Sequence, residues 1–189
     1  MGMSNRCDST NWCHVIKEVG KDARFRIKLG TESSEQLKGT NPNAVLKKAC
    51  VGKTILQIFV PEEMLDVCGV LAENGLESGC LDGMIFAFED CMVEFNYGTF
   101  SLAGESIEEF SEVPADTEAY PCYYPVEHFV KLDYKGQTVT NCGYVDRDPT
   151  EVNWEQDGAM FGERIFVSLS GGKTFYLCSG ECNTIIRLK

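Results

Sequence analysis

The sequence predicts an α+β fold with an antiparallel β-sheet body, a meander-like C-terminal half and about two short helices from the N-terminal half. After residue 126, short apolar runs separated by glycine-containing turns recur to the end of the chain, which is typical of antiparallel strands. The two helix-start signals both lie before residue 65. With 43% apolar residues over 189 positions, the chain can bury a substantial core.

The N-terminal segment predicts a β-hairpin. Trp12–Val19 and Ala23–Leu29 would pair around the turn Gly20-Lys21-Asp22. In the second strand Arg24, Arg26 and Lys28 alternate with apolar residues, so period two places three cations on one face. We interpret this basic stripe as an exposed strand face or as an internal counterpart to acidic residues elsewhere. A site for phosphate or for a carboxylate-rich partner is the less favoured alternative.

Two helices are predicted in the first half. The first begins at Asn41-Pro42, because Asn caps helices and Pro is tolerated in the first turn, and it runs to about Cys50. The second opens at Pro61-Glu62-Glu63, where acids face the positive end of the helix dipole, and it closes at Asn74-Gly75.

The remaining pattern is that of β-strands. Residues 104–125 leave two alternatives open, a short acidic helix over Ser106–Glu112 or an exposed loop. We predict a single domain over residues 1–189, and any subdivision would fall near 100–125. The predicted strands are Thr54–Val60, Met84–Phe88, Met92–Tyr97, Val126–Tyr134, Gln137–Val145, Arg164–Leu169, Thr174–Cys178 and Asn183–Leu188.

Charge is distributed very unevenly along the chain. From Thr54 to Val130 there are sixteen Asp and Glu and no Lys or Arg, whereas residues 1–53 hold ten basic and five acidic side chains. A distribution of this kind acts on partners through steering and complementarity rather than on the choice of fold. The alternative is an ordinary solvated face of an acidic protein, although solvated faces normally mix both signs.

The acidic region therefore contains the candidate partner-binding residues. Its densest part places six carboxylates within fourteen residues, and nearby aromatic side chains could supply desolvated anchors. The carboxylates would occupy a groove that a partner uses for phosphates. The candidates are Glu105, Glu108, Glu109, Phe110, Glu112, Asp116, Glu118, Tyr120, Tyr123 and Tyr124.

We expect a non-enzymatic inhibitor or adaptor that docks this negative face on a basic partner, such as a nucleic-acid-binding protein or a nuclease. Anti-CRISPR proteins and immunity proteins against basic nucleases are of this physical type. A net charge of −12 argues against direct nucleic-acid binding. No cofactor and no membrane partner are expected. The chain shows neither an apolar leader nor a membrane-length apolar run, so we expect a cytoplasmic location.

Two other functions remain as alternatives. A zinc-stabilised module could use the weak candidates Cys178 and Cys182, which flank a predicted turn, although their spacing is wider than in zinc knuckles. A small intracellular enzyme could use a dispersed site around His128, in a predicted strand, although the chain has no common catalytic motif. With ten cysteines and ample core, we expect reduced thiols rather than a disulfide framework.

Overall fold

Two antiparallel sheets form the described part of a computed structural model of the protein. One sheet has eight strands and is here called the large sheet, and the other, here called the small sheet, has five. The structure describes residues 5–8, 16, 20, 22–28, 41–61, 78–81, 83–96, 99–103, 106–110, 122–128, 131–145, 162–179 and 184–188.

The elements have the following bounds. The strands are β1 Asn5–Asp8, β2 Arg24–Lys28, β3 Gln57–Pro61, β4 Ser78–Leu81, β5 Met84–Ala87, β6 Met92–Asn96, β7 Thr99–Ala103, β8 Ser106–Phe110, β9 Cys122–Pro125, β10 Val139–Tyr144, β11 Gly162–Leu169, β12 Thr174–Ser179 and β13 Thr184–Leu188. The helices are α1, Pro42–Cys50, and a 3-10 helix, Val126–His128. The strand order is β1-β8-β2-β9-β3-β5-β6-β7 in the large sheet and β10-β11-β12-β13-β4 in the small sheet. None of these described helices has the length and apolarity that a membrane span requires.

A shared apolar core joins the two sheets. Phe86 on β5 makes edge-to-face contacts with Phe95 on β6, at 5.0 Å between ring centroids, and with Phe175 on β12, at 5.6 Å. Ile58 on β3 pairs with Phe86 and belongs to the same core. Because neighbouring residues on a strand face opposite sides, the next residue, Phe59, points to the other face of the sheet, where its ring lies 5.0 Å from that of Phe25 between centroids in a second core. The middle of the large sheet is therefore buried on both faces.

Helix α1 covers one end of the shared core. Its apolar side buries Leu46, Ala49 and Cys50. Its start follows the sequence prediction, because the Asn41 side chain accepts a hydrogen bond from the Asn43 backbone N–H at 3.0 Å. An amide cap of this kind satisfies one of the backbone donors that have no partner within a helix.

Replacing the cap is expected to weaken the fold modestly. Asn41→Ala removes the acceptor for the Asn43 N–H and should lower the free energy of unfolding by about 1 kcal/mol. Urea denaturation followed by circular dichroism measures this change. Lys48→Ala, at an exposed position of the same helix, is the control and should change stability by less than about 0.5 kcal/mol. Equal losses in the two variants would contradict the capping role.

The broad prediction of an antiparallel sheet body with helical cover is confirmed. The hairpin of β5 and β6 and the meander from β10 to β13 also match the predicted strands. The described residues contain one of the two predicted α-helices, α1. The other prediction, from Pro61 to Gly75, lies outside the described residues beyond Pro61, which ends β3.

Two local predictions are wrong. Strand β2 pairs with β8 and β9 rather than with Trp12–Val19, and Ile16, the one described residue of that segment, is helical and buried. Val126–Tyr134 is not a strand, because its described residues comprise the 3-10 helix and an irregular segment from residue 131. In both places long-range packing, which a local pattern does not contain, outweighs strand propensity.

Candidate functional site

The first part of the predicted partner-binding segment is a β-strand. Residues 106–110 form β8, so neither the acidic helix nor the exposed loop predicted there is found. The strand lies between β1 and β2, and its Ile107 is fully buried opposite Ile27. This charged stretch forms a strand because it buries Ile107 and pairs with a strand on each side.

The register of β8 places Glu108 among the chain's own cations. Glu108 pairs with Arg26 on β2 and with Arg6 on β1. At this position the basic stripe of β2 has Glu108 opposite it in the register.

The other predicted residues fall into three groups. Glu109 is exposed, and Phe110 occupies the last position of β8, opposite Arg24. Tyr123 and Tyr124 on β9 are each 4% exposed, so their rings pack in the two cores rather than on the surface. The remaining candidates, Glu105, Glu112, Asp116, Glu118 and Tyr120, lie outside the described residues.

The ends of the acid-rich segment 111–121 are nevertheless placed by the strands on either side of it. Strands β8 and β9 are both antiparallel to β2, which lies between them, so they run in the same direction. Phe110 ends one strand and Cys122 begins the other. The segment that contains Glu112, Asp116 and Glu118 is thus connected at one end to the strand on one side of β2 and at the other end to the strand on its other side. Strand β2 carries the basic stripe.

A second acidic position lies at the turn between β5 and β6. Glu89 and Asp90 are both exposed there. Lys53 contacts the Asp90 carboxylate at 2.8 Å, and its hydrogen bond lowers the pKa of Asp90. Because the Asp90 side chain is 65% exposed, this ion pair contributes little to stability.

His128 lies in the 3-10 helix and not in a strand. Its Nδ1 is 3.0 Å from a carboxylate oxygen of Asp22, and its ring stacks on Tyr124 at 4.6 Å between centroids. A carboxylate on one ring nitrogen orients the imidazole and favours one tautomer. A general base would also need a substrate proton within reach of Nε2, and the enzyme alternative depends on that second contact.

A buried polar network, not foreseen from the sequence, joins β3 to the 3-10 helix. Gln57 is 0% exposed, and its Nε2 lies 2.8 Å from the Tyr134 hydroxyl and 2.7 Å from Glu127 Oε2. The Tyr134 hydroxyl donates to Glu127 Oε1 at 2.8 Å and accepts from the Ile58 N–H at 3.0 Å. Burial raises the pKa of Tyr134 well above its ordinary range. The sign of this network in the sequence is a single glutamine, Gln57, within the otherwise apolar run Ile55–Val60.

Three thiols and a lysine lie near the C-terminal end of α1. Cys50 and Cys142 are buried, and Cys91 is half-buried with its Sγ 3.3 Å from Lys53 Nζ. Among the described residues, no three Cys, His, Asp or Glu side chains are grouped so that they could hold a metal ion. Cys178 lies on β12 and Cys182 lies outside the described residues, so the zinc alternative stays a prediction.

Comparison with protein-family models, with curated proteins and with solved structures finds no match to this chain. Because a fold alone does not specify an activity, the charges and contacts of the site itself are the basis for its function.

Proposed function

We propose that this protein is a non-catalytic binding protein that docks a carboxylate-rich surface on a basic partner, a nucleic-acid-binding protein or a nuclease. The observation that carries the proposal is the region Thr54–Val130, with sixteen acidic and no basic side chains. An acidic surface of this kind speeds association with a basic partner and disfavours acidic ones.

The charge balance of the chain supports an unneutralised excess of carboxylates. Where acids of this region meet a cation, the cation comes from outside the region: Lys53 contacts Asp90, and Lys135 contacts Glu127 at 3.2 Å. The chain has 29 acidic and 17 basic side chains, so its own cations cannot neutralise its carboxylates even if every one were paired. The excess is available to a partner.

We assign the binding surface to Glu109 and to the acids Glu112, Asp116 and Glu118. Glu109 is exposed on β8, and the other three belong to the segment attached at Phe110 and Cys122. Double-stranded DNA carries one charge per about 1.7 Å of its axis, and closely spaced carboxylates can occupy the same basic groove.

A capture experiment tests the proposal. Tagged protein is used to isolate partners from the native host at about 50 mM salt, and the complex is then challenged with about 500 mM salt and with duplex DNA. We expect a basic, nucleic-acid-binding partner whose complex dissociates under both challenges. The variant E112Q/D116N/E118Q should bind at least about tenfold more weakly, since three screened charge contacts are lost.

The control variant E151Q/E155Q/D157N removes the same number of charges outside the cation-free region. It should bind within about twofold of the unmodified protein, because general steering by net charge is a smaller effect than direct contact. Equal weakening by the two triple variants, or binding that does not change with salt, would overturn the proposed surface.

A further inference from the structure

The large sheet ends at strand β7. Among the described strands, β7 is the last in the order of the sheet and pairs with β6 alone. Within the part of the chain that the structure describes, no loop or helix forms a backbone hydrogen bond with it either. The outer side of an edge strand presents a row of N–H and C=O groups on which a further strand can form.

The hydrogen-bond pattern identifies the groups on this outer side. The Phe88 N–H donates to the Cys91 carbonyl oxygen at 2.9 Å, which makes these two residues a hydrogen-bonded pair at the turn between β5 and β6. Along an antiparallel strand, successive residues bond alternately to the strand on one side and to the strand on the other. Counted from this pair through β6, Ser101 bonds to β6, so Phe100 and Leu102 direct their backbone N–H and C=O groups outward.

The three other sheet edges are less open to pairing. Strand β1 contains the charged residues Arg6 and Asp8, and charges on an edge strand disfavour pairing. On β10 the Val139 N–H donates to the Lys53 carbonyl oxygen at 2.9 Å, and the Val139 carbonyl oxygen accepts from the Gly52 N–H at 2.8 Å. Strand β4 has only four residues, one of which is glycine. Strand β7 has five residues, with neither a charge nor a proline among them.

We propose that β7 pairs with β7 of a second copy of this chain, antiparallel and centred on Ser101. The two large sheets then form one continuous sheet across a twofold axis. In this register Phe100 of each copy lies opposite Leu102 of the other. Both residues direct their N–H and C=O groups outward, so each of the two pairs forms two main-chain hydrogen bonds.

The side chains of β7 fit this pairing. Phe100 is 9% exposed and Leu102 is half-buried, and both pack on the shared core. Pairing places an aromatic ring beside a leucine across the new strand boundary, on the same face of the sheet as that core. Ser101 alternates to the opposite face, where its hydroxyl donates to Glu94 Oε2 at 3.1 Å. At the axis Ser101 meets its own copy, and a small side chain suits the close approach of a non-hydrogen-bonded pair.

Charge favours a second copy as the occupant of this edge. Because β7 has no charged residue, a basic or an acidic strand finds no opposite charge on it. Two copies each carry a net charge of −12, so they can approach only where their acids stay apart. Glu94 lies on β6 opposite Ser101. In the dimer the two Glu94 residues are separated by three strand spacings, about 14 Å, which exceeds the screening length of about 8 Å at physiological salt.

The dimer leaves the proposed binding surface uncovered. Strand β8, which carries Glu109, lies six strands from β7 in the order of the large sheet. Six strand spacings are about 29 Å. This inference therefore does not depend on the proposed function, and the variant E112Q/D116N/E118Q should dimerise within about twofold of the unmodified protein.

Light scattering and sedimentation equilibrium over about 1–500 μM protein measure the self-association. The average mass should rise from 21.0 kDa toward twice that value. We expect a dissociation constant of about 10–100 μM, because one pair of short strands buries less area than a stable dimer interface. Dithiothreitol is present throughout, so that cysteine cross-links do not contribute.

Charged residues at position 101 provide the matched variants. Ser101→Lys places two like charges opposite one another and should weaken the dimer at least about fivefold, and Ser101→Glu should do the same. An equimolar mixture of the two variants should associate again, as a heterodimer with opposite charges at the axis. Asn141→Lys adds the same charge at an exposed position of β10 and should stay within about twofold of the unmodified protein.

Hydrogen exchange of the unmodified protein decides the register even if a variant fails to fold. Between about 5 and 500 μM, the amides of Phe100 and Leu102 should come to exchange at least about threefold more slowly, because dimerisation gives each an acceptor. The amide of Ser101, which already bonds to β6, should change less.

Three results would overturn the proposal: a mass that stays at 21.0 kDa up to about 500 μM, slower exchange in another edge strand but not in β7, and equal weakening by Ser101→Lys and Asn141→Lys. Slower exchange in β7 that appears only after a basic protein is added would assign this edge to that partner instead, and the self-pairing would be wrong.

Discussion

Phe86→Ala is expected to lower the free energy of unfolding by about 3–5 kcal/mol. Phe86 is 0% exposed and contacts both Phe95 and Phe175, so it is one of the rings through which the two sheets pack together. Truncation removes the transfer free energy of the ring and leaves a cavity that two paired sheets cannot easily close. Guanidinium denaturation monitored by circular dichroism measures the loss.

Val51→Ala is the control for this variant. Val51 is 39% exposed at the end of α1, so its truncation should cost less than about 0.5 kcal/mol. If Phe86→Ala also cost less than about 1.5 kcal/mol, the large and small sheets would not share a tightly packed core.

Tyr134→Phe is expected to cost about 2–3 kcal/mol, although it removes one oxygen atom and no apolar surface. The hydroxyl accepts hydrogen bonds from Gln57 and from the Ile58 N–H and donates one to Glu127. Without the hydroxyl, the buried Ile58 N–H loses this acceptor. A buried donor that is left without an acceptor costs the full free energy of its removal from water. Chemical denaturation at neutral pH gives the value.

Tyr144→Phe is the matched control, since Tyr144 is only half-buried and packs its ring against Phe100 at 6.2 Å. This variant should lose less than about 1 kcal/mol. Equal losses in the two tyrosine variants would show that the Gln57 network does not stabilise the native state.

The same network gives a pH dependence with a definite sign. The pKa of Tyr134 in the folded protein lies well above its ordinary value near 10, because burial disfavours the phenolate. Above pH 10 the unfolded chain loses this proton while the folded protein keeps it, so stability is retained below that pH and falls above it. Wild type should lose up to about 1.4 kcal/mol per pH unit more than Tyr134→Phe between pH 10 and 11, measured by denaturation at each pH.

Much of the secondary structure could be predicted because its signals are local. The cap at Asn41 and the turn between β5 and β6 depend on neighbouring residues, and both are found where the sequence places them. The apolar alternation of β11 to β13 likewise determines a meander. A strand at residues 106–110 could not be predicted, because its charges favour solvent unless two partner strands are supplied.

For the candidate site, composition and tertiary structure decide different things. The cation-free region of sixteen acids is a property of the sequence, and with it comes the expectation of a basic partner. Only the strand register shows that Glu108 lies opposite Arg26, and only packing shows that Tyr124 is buried. The approach of the Cys142 thiol to the Leu46 carbonyl oxygen is likewise tertiary, because α1 and β10 are far apart in the chain. The net charge of a segment can be counted from its sequence alone. Which residues become neighbours across a sheet or within a core depends on contacts between residues that are distant in the chain.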